Sequence, residues 1–397
     1  MVTKRVENIC PSLTLEITAK AKKMKAEGIS VIGFGAGEPD FNTPDYINDA
    51  AKKAIDIGFT KYTPASGTVE LKKAICDKFL KDNNLEYEQS QIVVSSGAKS
   101  SLYHAMAAII EEGDEVILPS PYWLTYPELI KLCGGQVVYV KADEKSGYKM
   151  TAGQLESAIT AKTKCLILNS PNNPTGAVYS EQEIRDIAKV CEKHGLYVIS
   201  DEIYEKLVYA GEKHYSIASV SEYMKEHTVI INGMSKTYAM TGWRIGYLAA
   251  PKDVAKAISS MQSHTTSNPC SISQYASTEA LVSPEGDKFV AKMQNIFDDR
   301  RKFMVEYLKG IDGVVCIEPK GAFYVFVDVS AFYGKTFNGK IIDGSLSFAD
   351  AALSKGVALI PGVAFGDDNC IRLSYAISIE DIKEGLDRLK AFIKELK

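Results

Sequence analysis

The chain has 397 residues, enough for one large domain or two unequal ones with a substantial core. Apolar residues make up 46%, charged residues 24%, and the net charge is −4, a balance that argues against nucleic acid or an anionic membrane as the main partner. No apolar run is long enough to span a bilayer, and the N-terminal stretch "MVTKRVENICPSLTLEITAKAKKMKAEG" lacks the continuous apolar core of a secretory signal.

The eight cysteines are widely spaced, without CxxC pairs, and several sit in apolar runs, such as Cys165 in "KCLIL" and Cys370 in "NCIRL". That usage fits a reducing cytoplasm better than a disulfide framework. The five histidines form no HExxH pattern and no metal-ligand spacing with cysteine, so no metal site is expected.

Along the chain, the first glycine-rich stretch is "VIGFGAGEPDFNTP" (31–44). A dinucleotide fingerprint needs GxGxxG opening directly into a helix, and Pro39 and Pro44 block such a helix. The loop is either a structural turn or a close approach of backbone to ligand. Apolar strands are then expected at 91–97, 114–120, 135–141, 164–170, 196–202, 228–233 and 244–250. Helical patterns lie between them, among them 98–110 and 181–195, the latter closing on Gly195 as a C-cap. Alternation of this kind indicates an α/β domain with a mostly parallel, seven-stranded sheet flanked by helices. After about residue 290 a long amphipathic helix, "GAFYVFVDV", "FADAALSKG" and "CIRLSYA" read as a smaller α+β domain. The expected division is 45–290 for the large domain and 1–44 with 291–397 for the small one, the N-terminal segment packing on the C-terminal part.

Several strand ends carry chemistry. "VVSSGAKSSLYHAM" (93–106) runs from a strand through Ser95, Ser96 and Gly97 into a helix, which is either an anion site at free N–H groups or a plain Ser cap. "PSPYWLTY" (119–126) places Trp123 in a loop, to pack under a domain or to stack on a flat ligand. "LNSPNNPTG" (168–176) reads as a turn around Asn173. In "VISDEIYEKLVY" (198–209), Asp201 ends a buried strand and Tyr204 follows one helical turn on; a carboxylate there is costly unless it meets a cation or a donor. "INGMSKTYAMTGWRIGYLAAP" (231–251) sets Ser235, Lys236 and Arg244 in a loop between strands. In "NCIRLSYA" (369–376), Arg372 projects opposite Ile371 and Leu373, either as a solvated edge residue, which the alternation slightly favours, or as a carboxylate clamp. A planar, phosphorylated pyridine aldehyde held by a lysine accounts for the whole set.

The order of "SPNNPTG", "SDEIYEKLVY" and "SKTYAMTGWRIGY", with "GAGEPDFNTP", "KYTPASG" and "CIRLSYA", resembles the class I aminotransferases of fold type I, from about Pro11 to the end. The resemblance implies pyridoxal 5′-phosphate as cofactor. It implies Lys236 as the Schiff-base lysine and proton shuttle, Asp201 as partner of the pyridine nitrogen, and Tyr204 and Asn173 as partners of the ring's 3′ oxygen. Trp123 would stack on the ring. The N–H groups of Gly97, Ala98 and Lys99, with Ser235 and Arg244, would hold the phosphate, and Tyr62 would reach the phosphate of the neighbouring subunit in a homodimer. Arg372 and the Gly37 backbone would bind the substrate α-carboxylate, with Trp123 and Asn173 also facing the substrate. Lys99 matches the lysine that a bacterial aspartate-using subgroup applies to the distal carboxylate, and "PSLTLEITAKA" (11–21) resembles that subgroup's pocket segment, with Ser12 and Thr14 lining it. The implied reaction is amino transfer from L-aspartate to 2-oxoglutarate in the cytoplasm. Alternatives are prephenate or aromatic substrates, a pyridoxal-phosphate β-lyase, or a non-enzymatic regulator, for which no DNA-binding extension is visible.

Overall fold

The computed structural model describes residues 2–397; Met1, the first residue of the expected small domain, lies outside the described residues. The main sheet has seven strands: β1 (Ile92–Ser95), β2 (Glu115–Ser120), β3 (Gln136–Lys141), β4 (Thr163–Asn169), β5 (Tyr197–Asp201), β6 (Thr228–Gly233) and β7 (Gly246–Ala249). Their order across the sheet is β1-β7-β6-β5-β4-β2-β3. β7 runs antiparallel to both β1 and β6, and the other pairings are parallel.

Helices cover both faces, which is why the central strands read as continuous apolar runs. Successive side chains alternate between two cores. In β4, Cys165 and Ile167 face the core that holds Leu102, Ala105 and Met106 of the helix Ala98–Ile109. Leu166 and Leu168 face the opposite core with Ile184, Ile187 and Cys191 of the helix Glu181–His194. That helix begins at a Ser180–Glu183 capping box and ends at Gly195 with φ 67°, the C-cap the sequence indicates.

The second region is built on an antiparallel four-stranded sheet in the order Ile360–Pro361, Cys370–Ser374, Tyr324–Asp328, Val315–Cys316. Helices Glu285–Lys309, Ser345–Ser354 and Ile379–Lys394 pack on it through Met304, Leu308, Phe348, Leu386 and Phe392. Near the N-terminus, Ile32–Gly33 pairs in parallel with Val357–Ala358, and Ala21 of the helix Leu13–Ala26 packs with Val31, Leu353 and Ala358.

Three local expectations shift. The last strand of the main sheet starts at Gly246 rather than 244, because Arg244 takes a left-handed φ of 55° that ends extended pairing. A turn rather than a helix follows Asp201, so Tyr204 is not one helical turn along. Cys370–Ser374 is flanked by strands on both sides, so Arg372 is not a solvated edge residue; it is 2% exposed. Among the described residues, no helix is long and apolar enough to cross a membrane.

Candidate active site

The register of the main sheet aligns the carboxyl ends of its parallel strands. Asn169 of β4 pairs with Asp201 of β5, and Asp201 with Ile231 of β6. Such an edge is where α/β folds place ligands. β6 is buried along its whole length, and one turn of helix, Met234–Thr237, then turns Lys236 back over the sheet. The half-buried amine donates to the Gly37 carbonyl at 2.5 Å, so two loops almost 200 positions apart meet there. Burial brings the Lys236 amine down to about 8; Glu38 opposes this, Arg244 and Arg372 reinforce it, and Asp201 opposes it.

Asp201 is 3% exposed. One oxygen accepts from the Tyr126 hydroxyl at 2.8 Å and the other from the Ile203 N–H at 3.3 Å, and it has no ion pair among the described residues. Burial pushes its carboxyl up to about 6, against the pull of Tyr126, Ile203 N–H and Lys236. A buried carboxylate with two donors and no counter-ion is set to receive a cationic or N–H group from outside the chain.

A set of donors suited to an anion, a candidate cradle, lies beside this pair. Gly97, at φ 88°, opens the helix Ala98–Ile109, whose first N–H groups have no partners within the helix. The Arg244 guanidinium lies so close over Gly97 that any Cβ there would overlap it. Gly246 is needed for the same packing, since a Cβ on it would run into Gly97 and the Ala98 nitrogen. Arg244 Nη1 donates to the Thr241 carbonyl at 2.9 Å, which fixes the arginine at the mouth of the cradle. Ser235, one residue before the lysine, is buried in the same turn. Lys99 lies over the Trp123 ring, 4.9 Å from its centroid, and burial and then Arg244 lower its amine.

A fourth element approaches from the smaller sheet. Arg372 donates from Nη1 to Asn173 Oδ1 at 2.9 Å and from Nη2 to the Gly35 carbonyl at 3.1 Å. Its Nε is buried without a hydrogen-bond partner among the described residues. Tyr324 supports the guanidinium from below at 4.3 Å, and its hydroxyl meets that of Tyr204 at 3.0 Å.

Lys236, Asp201, Tyr204, Asn173, Arg372, Gly37, Gly97, Ala98, Lys99, Trp123, Ser235 and Arg244 are thus linked by strand register, by direct contact or by the charges that act on Lys236 and Lys99. Tyr62 stands apart and is 91% exposed, an unusual place for a tyrosine in a single chain. Ser12 caps the helix Leu13–Ala26, accepting from the Leu15 N–H at 3.4 Å, and the Thr14 hydroxyl is buried without a hydrogen-bond partner among the described residues. Two supporting tyrosines escape sequence reasoning. Tyr126 sits three residues after Trp123, and a search for the donor that a buried Asp201 needs could have found it. Tyr324 is hidden in the apolar run "GAFYVFVDV", where it reads as core. Behind β5 and β6, Glu205 pairs with Lys78 and accepts from Asn232 at 2.8 Å, and Glu202 pairs with His214 at 2.9 Å. The Lys78 ammonium already occupies the place of a cation at Glu205, and no motif or spacing in the sequence points to this network.

The sequence profile described as "Aminotransferase class I and II" matches residues 29–389. An aspartate aminotransferase of Bacillus sp. (strain YM-2) is 49% identical over 395 residues, covering 99% of both chains. A probable aspartate/prephenate aminotransferase of Aquifex aeolicus is 47% identical over 393 residues, covering 99% of this chain and 98% of its own. Among solved structures, the aspartate aminotransferase from Rhizobium meliloti superposes with a TM-score of 0.96 at 43% identity over the full length of both chains. That from Thermus thermophilus, solved with maleate, gives 0.94 at 39% identity and 99% coverage of each. With matches of this length on top of the converging strand ends, the chain belongs to the class I and II aminotransferases, and it is an enzyme of that family.

Proposed function

We propose that the protein transfers the amino group of L-aspartate to 2-oxoglutarate, giving oxaloacetate and L-glutamate, with pyridoxal 5′-phosphate as cofactor. The observation that carries this reading is the buried Asp201 carboxylate, which has two donors and no ion pair among the described residues, with the lowered amine of Lys236 near it. The residues fit the cofactor. The cradle at Gly97, which a Cβ would fill, suits its phosphate, and Asp201 suits its pyridine N–H. Once bound, it supplies an electron sink for the pair left on the substrate Cα. The chain's residues do the rest. Lys236, whose amine is half neutral at about pH 8, would hold the aldehyde carbon and, as a free amine, would move the proton at the substrate Cα. Asp201 would keep the ring nitrogen protonated, Tyr204 and Asn173 would hold the 3′ oxygen, and Trp123 would cover the ring. Arg372 receives the α-carboxylate with the Gly37 backbone beside it, a bidentate match to amino and oxo acids alike. Lys99, with Ser12 and Thr14, receives the distal carboxylate.

A homodimer in which Tyr62 enters the partner's phosphate site accounts for the exposure of that side chain. The large unit at 45–290 carries the cradle and lysine. The small unit at 1–44 and 291–397 carries Arg372, and the strand pairing of Ile32–Gly33 with Val357–Ala358 supports the grouping of its two pieces. A reducing cytoplasm suits the buried thiols of Cys165, Cys191 and Cys370. Relatives named aspartate/prephenate aminotransferases favour prephenate as a second substrate, since it too carries a carboxylate beyond its oxo acid.

The test is a panel of amino donors with 2-oxoglutarate, and of prephenate with aspartate, on wild type and Lys99→Ala. The expected result is efficient use of aspartate and its selective loss in Lys99→Ala. Wild type that releases pyruvate and ammonia from cystathionine without forming glutamate would overturn the reading in favour of a lyase. Equal loss across the panel would confine Lys99 to the phosphate cradle.

A further inference from the structure

Four side chains form an almost closed circuit beside Lys236. The Tyr204 hydroxyl meets the Tyr324 hydroxyl at 3.0 Å. The Tyr324 ring lies 4.3 Å from the centre of the Arg372 guanidinium. Arg372 donates to Asn173 Oδ1 at 2.9 Å. The two ends of this circuit, Tyr204 and Asn173, are the residues assigned above to the cofactor's 3′ oxygen, and its middle is the carboxylate clamp. All four side chains are buried. Tyr324 connects the oxygen partner Tyr204 to the clamp, and it touches neither substrate nor cofactor in the roles set out above. Its hydroxyl also faces the backbone of Gly37, where a Cβ would lie 3.4 Å away.

We propose that Tyr324 is a positioning residue with two separable functions: its hydroxyl orients and strengthens the hydrogen bond of Tyr204 to the cofactor's 3′ oxygen, and its ring holds Arg372 in place for the substrate carboxylate. The inference rests on the cofactor reading. The proton inventory gives it direction. Tyr204 has one O–H, so if it donates to the cofactor oxygen its own oxygen is free to accept, and the Tyr324 O–H is placed to donate. A donor that itself accepts a hydrogen bond is the stronger donor. With the cofactor bound, such a bond would favour charge on its 3′ oxygen and so would lower the pH at which the visible band of the holoenzyme titrates. The ring acts separately, as an aromatic floor under a desolvated cation.

The charged and titratable groups facing this pair are Arg372 and Asp201. Those acting on Lys236 are Glu38, Arg244, Arg372 and Asp201. Tyr324→Phe leaves all of them in place, removes one oxygen and keeps the ring. Tyr324→Leu removes both.

The experiment is a pH titration of the visible absorbance of the holoenzyme, with the KM for aspartate measured in parallel. Tyr324→Phe is expected to raise the midpoint by about half a unit, the size of a change in one hydrogen bond transmitted through a second. Its KM is expected to stay within about twofold of wild type, because the ring remains. Tyr324→Leu is expected to show the same midpoint and a KM raised about tenfold, as for loss of a desolvated cation–π contact. In a Tyr204→Phe background, Tyr324→Phe is expected to move the midpoint no further, which a merely structural effect would not reproduce. If Tyr324→Phe titrates like wild type, or shifts the midpoint equally without the Tyr204 hydroxyl, the assignment of Tyr324 is overturned while the cofactor reading stands. Wild type without a pH-dependent visible band would overturn both.

Discussion

The buried charge of Asp201 should make the cofactor-free protein less stable than it could be. Burial pushes its carboxyl from 3.8 to about 6, so the folded chain holds that proton more tightly than the unfolded chain does. Below pH 3.8 both states are protonated and the residue costs nothing electrostatically. As pH rises from there through 6 the unfolded state ionises first, and the cost grows until both states are ionised. A carboxyl moved from 3.8 to about 6 corresponds to about 3 kcal/mol at pH 8. With 3% exposure, solvent relieves little of this. Asp201→Asn keeps the shape and can bond to both Tyr126 and Ile203 without a charge. Urea melts of the cofactor-free proteins between pH 5 and 8 provide the assay. Asp201→Asn is expected to be the more stable by up to about 3 kcal/mol at pH 8, with the gap narrowing towards pH 5. Cofactor affinity should move the opposite way and fall. A gap that ignores pH, or a wild type more stable at pH 8, would refute the reasoning.

Three further outcomes follow from the same geometry. Glu38 is the largest charge opposing the effect of burial on Lys236, so Glu38→Gln should bring that amine below its present value of about 8 by roughly half a unit. The pH dependence of Lys236 labelling by an amine-reactive reagent, read by mass spectrometry, measures this; an unmoved midpoint would contradict it. Gly246→Ala should weaken pyridoxal phosphate binding at least tenfold and cost about 2 kcal/mol of stability, because its Cβ has no room beside the Ala98 nitrogen. Wild-type affinity by cofactor titration would show that the cradle lies elsewhere. Arg372→Lys should raise the KM for aspartate by about tenfold or more, since one ammonium cannot replace a planar two-pronged donor. An unchanged KM would remove Arg372 from the carboxylate site.

Much of this arrangement is legible in the sequence because the sheet is buried on both faces. An apolar run such as "KCLIL" must be a covered strand, and the polar residue that ends it, Asn169 or Asp201, must then stand at the sheet's carboxyl edge. Gly195 marks its helix end for a similarly local reason. What stays hidden depends on neighbours far along the chain. The alternation around Arg372 gives its face but not the strands on either side, so its burial between Tyr324–Asp328 and Ile360–Pro361 comes only with the fold. The roles of Tyr126 and Tyr324 depend on single hydroxyl contacts across 75 and 120 positions, which no periodicity encodes. The pairing of Lys78 with Glu205 is hidden for the same reason: a lysine on an amphipathic helix reads as solvated, and here it is buried. The start of β7 shifted because backbone conformation at Arg244, rather than hydrophobicity, ends the strand.

The chemistry of the site turns on which amine captures the cofactor. Holoenzyme reduced with borohydride, digested and analysed by peptide mass spectrometry tests this directly. The reduced pyridoxal phosphate adduct is expected on the peptide containing Lys236, and on no other lysine at comparable yield. An adduct on Lys99 or on a surface lysine, with Lys236 unmodified, would contradict it.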